Sequence, residues 1–192
     1  MSGGCFSFPK SVLKCGFCLQ RLICLSLSLG ILSLISACNP SDRLDSPATL
    51  NSRYTDEQPA LSGNGRFLAF VSNRNSSRRL LLYDLQQQQL IPLPRLNQRS
   101  SIVESPSLSY TGRYIVYIVI DQGKPTLALY DRVTQQVQIL TQWYPGWVRN
   151  PSISADGRYV VFESSSRGQW DIEVLDRGAN IELDIPDGTP VN

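Results

Sequence analysis

The strongest pattern along the chain is a short apolar run with an aromatic residue near its start, which occurs three times. The copies are "RFLAFV" (66–71), "RYIVYIV" (113–119) and "RYVVFE" (158–163). In the first copy every residue from Phe67 to Val71 is apolar, so both faces of a strand would be apolar. In a sheet with one solvent-exposed face, apolar and polar residues would instead alternate along each strand. The pattern therefore predicts short strands that are buried on both faces.

These runs belong to a longer repeat that is centred on three turn glycines, Gly65, Gly112 and Gly157, which lie 47 and 45 residues apart. Relative to each glycine, the copies share a proline at −6, a serine at −3, an arginine at +1, aromatic residues at +2 and +5 and an aspartate at +19. Such agreement predicts three copies of one structural unit. Asn-Gly and Asp-Gly pairs favour tight hairpin turns, so we expect positive φ at these glycines.

Each unit is predicted to contain four short strands. The first strands are "PALS", "PSLS" and "PSIS", the second are the apolar runs, and the third are "LLLYD", "LALYD" and "IEVLD". The fourth strands are predicted at Gln89–Leu93, Gln136–Leu140 and Ile181–Ile185. Small four-stranded sheets with two buried faces are the blades of β-propellers. The prediction is therefore an all-β fold of three blades, at about 58–94, 105–141 and 150–186.

The pattern Pro-x-x-Ser-x-(Asp/Asn/Thr)-Gly-Arg-aromatic, followed by a β-rich run, resembles the WD-like propeller repeats of the TolB family. Phe70–Arg74 matches the continuation of that motif, and similar repeats occur in the propellers of prolyl-oligopeptidase-like enzymes. The resemblance covers residues 58–188 and implies half of a six-bladed TolB-like propeller. The separate amino-terminal domain of TolB has no room between Cys38 and Pro59. Three blades leave an apolar sheet face at each end, and such faces usually mark an interface.

Residues 1–37 have the features of an export signal. Lys10, Lys14 and Arg21 precede the apolar stretch 22–35, "LICLSLSLGILSLI". That stretch suits the core of a secretory signal and is shorter than the roughly 20 apolar residues of a membrane span. A plain signal peptide or a short membrane helix with an incidental cysteine is the alternative to the lipoprotein signal described next.

The end of this stretch, Ile35–Cys38 ("ISAC"), resembles the lipobox of bacterial lipoprotein precursors. The resemblance implies that Cys38 receives a diacylglyceryl group and becomes the first residue of the mature chain. Residues 38–57 would then form a lipid-anchored polar tether, with two or more acyl chains giving stable membrane attachment. Asn39 is not the aspartate linked to inner-membrane retention in enterobacteria, so the expected location is the outer membrane, facing the periplasm.

The amino-acid composition excludes several kinds of catalytic and binding site. The chain has no histidine, which removes the usual general base and any Ser-His-Asp or Cys-His arrangement. Without the three basic residues of the signal, 15 basic residues face 16 acidic ones, so nucleic-acid binding has no electrostatic support. The five cysteines end at Cys38, so no disulfide framework runs through the repeats.

These features favour a non-enzymatic protein with no cofactor and no metal. A Gly-x-Ser-x-Gly elbow is missing, and so is an Asp-x-Asp-x-Asp-Gly calcium loop. Asp171 and Glu173 share one strand face, where acids are more often solvated than catalytic. The sequence therefore favours a protein-binding module or scaffold in the cell envelope. A structural spacer, a remnant propeller and the propeller part of a peptidase-type system are the alternatives.

The stretch "TQWYPGWVRN" (141–150) links the second and third units and holds the candidate partner-binding residues Trp143, Tyr144, Trp147 and Arg149. Rigid amphipathic rings often anchor partner contacts. Alternatively, the three rings fill the cleft between blades. The expected partners are the membrane, through Cys38, and either another protein or a second copy that completes the propeller.

Overall fold

The computed structural model describes residues 50, 52–74, 77–97 and 102–185. This part of the chain is all β, with eleven strands in three antiparallel sheets. It holds no helix that is long and apolar enough to cross a membrane. The signal segment, Cys38 and most of the predicted tether lie outside the described residues.

Each sheet corresponds to one repeat unit and is called a blade below. Blade 1 consists of β1 (Asp56–Leu61), β2 (Phe67–Ser72), β3 (Arg79–Asp84) and β4 (Gln89–Ile91). Blade 2 consists of β5 (Ile102–Leu108), β6 (Tyr114–Asp121), β7 (Lys124–Asp131) and β8 (Gln136–Ile139). Blade 3 consists of β9 (Val148–Ile153), β10 (Tyr159–Ser164) and β11 (Asp171–Asp176). Within each blade, strands that are consecutive in sequence are neighbours in the sheet.

The repeated polar residues form one hydrogen-bonded turn. In blade 1 the Ser62 hydroxyl accepts the Phe67 N–H at 2.9 Å, and the same bond recurs at 2.9 Å in blades 2 and 3. The arginine after the turn glycine pairs with the aspartate that ends the third strand, as Arg66 does with Asp84 at 2.8 Å. Hydrogen bonds from Arg66 lower the pKa of Asp84, so the pair stabilises the fold at neutral pH and loses that contribution as acid protonates the carboxylate.

The three turn glycines have φ values of 71°, 70° and 81°, the left-handed backbone that the Asn-Gly and Asp-Gly pattern predicts. Gly157 also lies against the preceding blade, since a Cβ there would be 2.4 Å from the Tyr114 ring. At Gly65 no atom of the described residues lies within 4 Å of the corresponding point. The glycine in blade 3 therefore permits both a turn and a close inter-blade contact.

A second backbone feature recurs immediately before each repeat proline. Gln58, Ser105 and Asn150 have φ values of 53°, 51° and 49°, and the strand register shifts at each of these points. Proline has no backbone N–H to donate to a neighbouring strand. A β-bulge at this position therefore loses few of the hydrogen bonds between strands. The Gln58 side chain uses its oxygen to accept the Ser105 N–H at 2.7 Å, which links the first strands of blades 1 and 2.

The core consists of two apolar layers, one between each pair of neighbouring blades. The first layer packs residues such as Ala69 and Leu82 of blade 1 against Ile115 and Tyr117 of blade 2. The second packs the opposite face of blade 2, including Val116, against Val160 and Phe162 of blade 3. The middle blade is therefore buried on both faces, as its apolar run predicts.

The prediction of a fourth strand at Ile181–Ile185 is wrong, because these residues form no strand. In blades 1 and 2 a four-residue turn after the third strand ends in a glutamine with positive φ, Gln88 or Gln135. In blade 3 positive φ comes earlier, at Gly178 (φ 92°), and the chain leaves β11 towards blade 2. Blade 3 thus has three strands in the described residues.

Residues 181–185 instead complete the turn of blade 2. The residue before the turn glycine is Asn64 in blade 1 and Asp156 in blade 3, and its side-chain oxygen accepts the serine hydroxyl and a turn N–H. Blade 2 has Thr111 there, which lacks this carbonyl or carboxylate. Buried Asp184 supplies the missing oxygens: it accepts the Ser109 hydroxyl at 2.5 Å, the Thr111 N–H at 2.8 Å and the Thr111 hydroxyl at 2.5 Å.

We predict that Asp184→Ala lowers the free energy of unfolding by about 1–3 kcal/mol, because it leaves buried donors unpaired. Thr111→Asp should recover most of this loss in the Asp184→Ala background, since it restores the local turn acid. The same change alone should destabilise the protein, because it places two carboxylates together. Denaturant unfolding of the four variants measures these effects, and an additive double mutant would contradict the assignment.

Candidate partner-binding face

One face of blade 3 carries an apolar patch that no other sheet covers among the described residues. Strand register places Tyr159, Val161 and Glu163 of β10 on this face, opposite Asp176, Val174 and Ile172 of β11. Ile172 and Val174 are 70% and 64% exposed. We call this set of six residues the open face.

The repeat shows how unusual this exposure is. The positions of Ile172 and Val174 correspond to Leu80 and Leu82 in blade 1 and to Leu127 and Leu129 in blade 2. All four of these leucines are at most 2% exposed, because the next blade covers them. Burying an aliphatic side chain of this kind contributes about 1.5–3 kcal/mol. Within the part of the chain that the structure describes, the open face is therefore one half of an inter-blade interface whose other half is not supplied.

Aromatic and charged groups border the open face at one end. The Arg149 guanidinium lies over the Trp170 ring, 3.8 Å from its centre, and pairs with Glu163 at 2.6 Å. Hydrogen bonds from Asn150 and Arg149 lower the pKa of Glu163, so this carboxylate is charged at neutral pH. Tryptophan and arginine are the residue types enriched where proteins bind one another most strongly.

The four residues predicted to bind a partner, Trp143, Tyr144, Trp147 and Arg149, do not all lie on the same surface. Arg149 lies in β9, and Trp147 directly precedes that strand. The Trp147 side chain is 60% exposed, and the backbone N–H of Trp147 donates to the Ser165 hydroxyl at 2.9 Å. Because neighbouring strand residues point to opposite faces, Trp147 faces away from buried Val148, on the side of the open face. Trp143 is 89% exposed and lies in the preceding loop.

The alternative role of these rings, filling the cleft between blades, is therefore wrong for Trp143 and Trp147 and applies to Tyr144. The Tyr144 ring packs edge-on against Phe162, with ring centres 5.8 Å apart, at the margin of the second apolar layer. It also lines a groove of about 350 Å³ with Trp143. Tyr144 thus supports the fold, whereas Trp147 and Arg149 border the open face.

The outer face of blade 1, which points away from blade 2, is less exposed than the open face. It carries Phe70 and Tyr83, which are 4% and 8% exposed. The Arg74 guanidinium lies 5.4 Å from the centre of the Phe70 ring and donates to the Leu50 carbonyl at 3.2 Å. On the same face Leu61 is 56% exposed, whereas its repeat counterparts Leu108 and Ile153 are 7% and 8% exposed. The outer face of blade 1 is thus covered in part within the chain.

Sequence reasoning did not single out Trp170, Ile172 and Val174. Their signal is the alternation Trp-Asp-Ile-Glu-Val over 170–174, which puts the apolar residues on one face. The acids between them, Asp171 and Glu173, do share the opposite face, where both pair with Arg167. Among the described residues no three histidine, cysteine, aspartate or glutamate side chains are grouped so that they could hold a metal ion.

No protein-family model matches the chain, and no curated protein matches it. Solved structures do share its fold. TolB from Acinetobacter baumannii is 22% identical, with a TM-score of 0.58 over 69% of this chain and 32% of that one. A protein described as TolB from Agrobacterium tumefaciens is 20% identical, with a TM-score of 0.55 over 69% of this chain and 48% of that one.

Oligogalacturonate lyase from Vibrio parahaemolyticus is 16% identical, with a TM-score of 0.51 over 66% of this chain and 36% of that one. The expectation of TolB-like β-propeller blades is therefore confirmed. The chain spans about a third to a half of the length of these structures, and it forms part of a propeller.

Proposed function

We propose that this protein is a lipid-anchored, non-enzymatic binding module of the bacterial cell envelope, which uses TolB-like propeller blades to bind another protein. The open face of blade 3 carries the proposal. Its aliphatic side chains occupy positions that are buried between blades elsewhere in the chain, and Trp147, Trp170 and Arg149 border it. In a spacer without a partner, these exposed apolar residues would only promote non-specific association.

Anchoring and location complete the proposal. The lipobox-like Ile35–Cys38 stretch supports lipidation at Cys38, with the mature chain facing the periplasm. Asn39 favours the outer membrane over the inner one. The fold shared with two TolB structures is consistent with an envelope role in maintenance or transport.

We predict that Cys38→Ala leaves an uncleaved precursor and abolishes labelling by a fatty-acid analogue in growing cells. Cys24→Ala, a cysteine substitution within the same signal, is the matched control and should be processed and labelled normally. Gel mobility and label incorporation measure both steps. Normal processing of Cys38→Ala to a soluble product would refute the anchoring proposal.

Binding through the open face has its own test. In a mild detergent extract, we predict that the wild-type lipoprotein migrates in a complex larger than its monomer and that Val174→Asp releases the monomer. Val133→Asp is the control, because Val133 is similarly exposed (68%) but lies in the outer turn of blade 2. A wild-type protein that is monomeric in the extract would contradict the binding function.

A further inference from the structure

We infer that the open face of blade 3 receives a propeller blade from a different protein, and that this blade presents an arginine to Tyr159. The inference rests on the proposed binding function, because it names the class of partner that the open face binds. It is carried by the two inter-blade interfaces within the chain, which share one construction.

Both interfaces place an arginine of the following blade over an aromatic ring of the preceding blade. The Arg132 guanidinium of blade 2 lies 4.1 Å from the centre of the Phe67 ring, and that of Arg177 in blade 3 lies 4.2 Å from the centre of the Tyr114 ring. Each of these arginines also donates to the carbonyl of its own turn glycine. A following blade therefore contributes a fixed cation as well as an apolar face.

Each ring has a second arginine, the one that precedes it in its own blade. The guanidinium carbons of Arg66 and Arg113 lie 4.9 and 5.0 Å from the ring centres of Phe67 and Tyr114. Each aromatic ring is thus within about 5 Å of two guanidinium groups, one from its own blade and one from the next. Contacts between cations and aromatic faces of this kind are attractive, more so when they exclude water.

Blade 3 has its own half of this arrangement. Tyr159 occupies the position of Phe67 and Tyr114, and Arg158 lies 5.1 Å from its ring centre. The ring is 40% exposed, and no described arginine of a following blade lies over it. Ile172 and Val174 are likewise in place for a following blade. The chemistry that fits this face is an apolar strand pair with an arginine directly after the third-strand aspartate.

The residue types of blade 1 argue against a second copy as this partner. The residue of blade 1 at the arginine position is Leu85, so blade 1 of a second copy would bring no cation to Tyr159. The outer face that it would present has Arg74 over the Phe70 ring and an exposed Leu61. A second copy would therefore supply an apolar contact without the arginine.

The test uses the full-length lipoprotein in its native host, with the photo-crosslinking residue p-benzoylphenylalanine at position 174 and, as the control, at position 133. Crosslinked peptides are identified by mass spectrometry. We expect the adduct at position 174 to map to a strand of a propeller repeat in another protein, one whose third strand ends in Asp-Arg. Position 133 should not capture this peptide.

A second variant tests the arginine contact. Tyr159→Leu should lower the yield of the position-174 adduct about threefold or more, as expected for loss of a cation–π contact. Tyr54→Leu, which changes a tyrosine of equal exposure (40%), should leave the yield unchanged. An unchanged yield in Tyr159→Leu would overturn the inference.

The remaining outcomes separate the inference from the proposed function. Crosslinking to a second copy of this chain, or to an envelope protein without propeller blades, would overturn the inference and leave the binding function standing. The absence of any adduct at position 174, with the protein lipidated and folded, would overturn both. Lipidation at Cys38 is measured separately and is unaffected by either result.

Discussion

Each blade of this protein is a small sheet with two apolar faces, and every other feature of the structure depends on covering them. A sheet of three or four short strands has no interior of its own, so its aliphatic side chains leave water only when another sheet packs against them. The chain meets this requirement twice, at the interfaces of blade 2 with its neighbours. The binding function that we propose follows from the third place, where the requirement is unmet among the described residues.

The constant spacing of residues within the three repeats positions the groups that form these interfaces. The serine and glycine of each turn fix the hairpin, and the arginine–aspartate pair ties the hairpin to the end of the third strand. The hairpin in turn positions the aromatic residue that the next blade's arginine covers. The turn of blade 2 lacks an acid at Thr111, and Asp184 replaces it from outside the blade. The segment after blade 3 thus supplies what one repeat lacks, and Arg113 and Tyr114 also hold this segment through Glu182.

The sequence was sufficient to predict the blades because their signals are local: a turn glycine, a two-sided apolar run and an aspartate at constant spacing. The path of residues 181–185 was not predictable in this way, since it depends on a bond between Asp184 and a turn more than seventy residues away. The exposure of Ile172 and Val174 could not be predicted from local sequence either. Their alternation is visible in the sequence, but whether a neighbouring sheet covers them is a property of the tertiary structure. The bulges at Gln58, Ser105 and Asn150 precede prolines, and that is their only sequence signal.

The central claim is that one repeat position is buried at the first two blades and accessible at the third. The chain has no cysteine after Cys38, so residues 39–192 with a single Leu82→Cys, Leu129→Cys or Val174→Cys substitution can report this directly through the rate of maleimide labelling. We expect Cys at position 174 to react at a rate close to that of the unfolded chain, and the other two to be at least about a hundredfold slower, because they react only after the protein opens. Equal protection of all three positions would contradict the account.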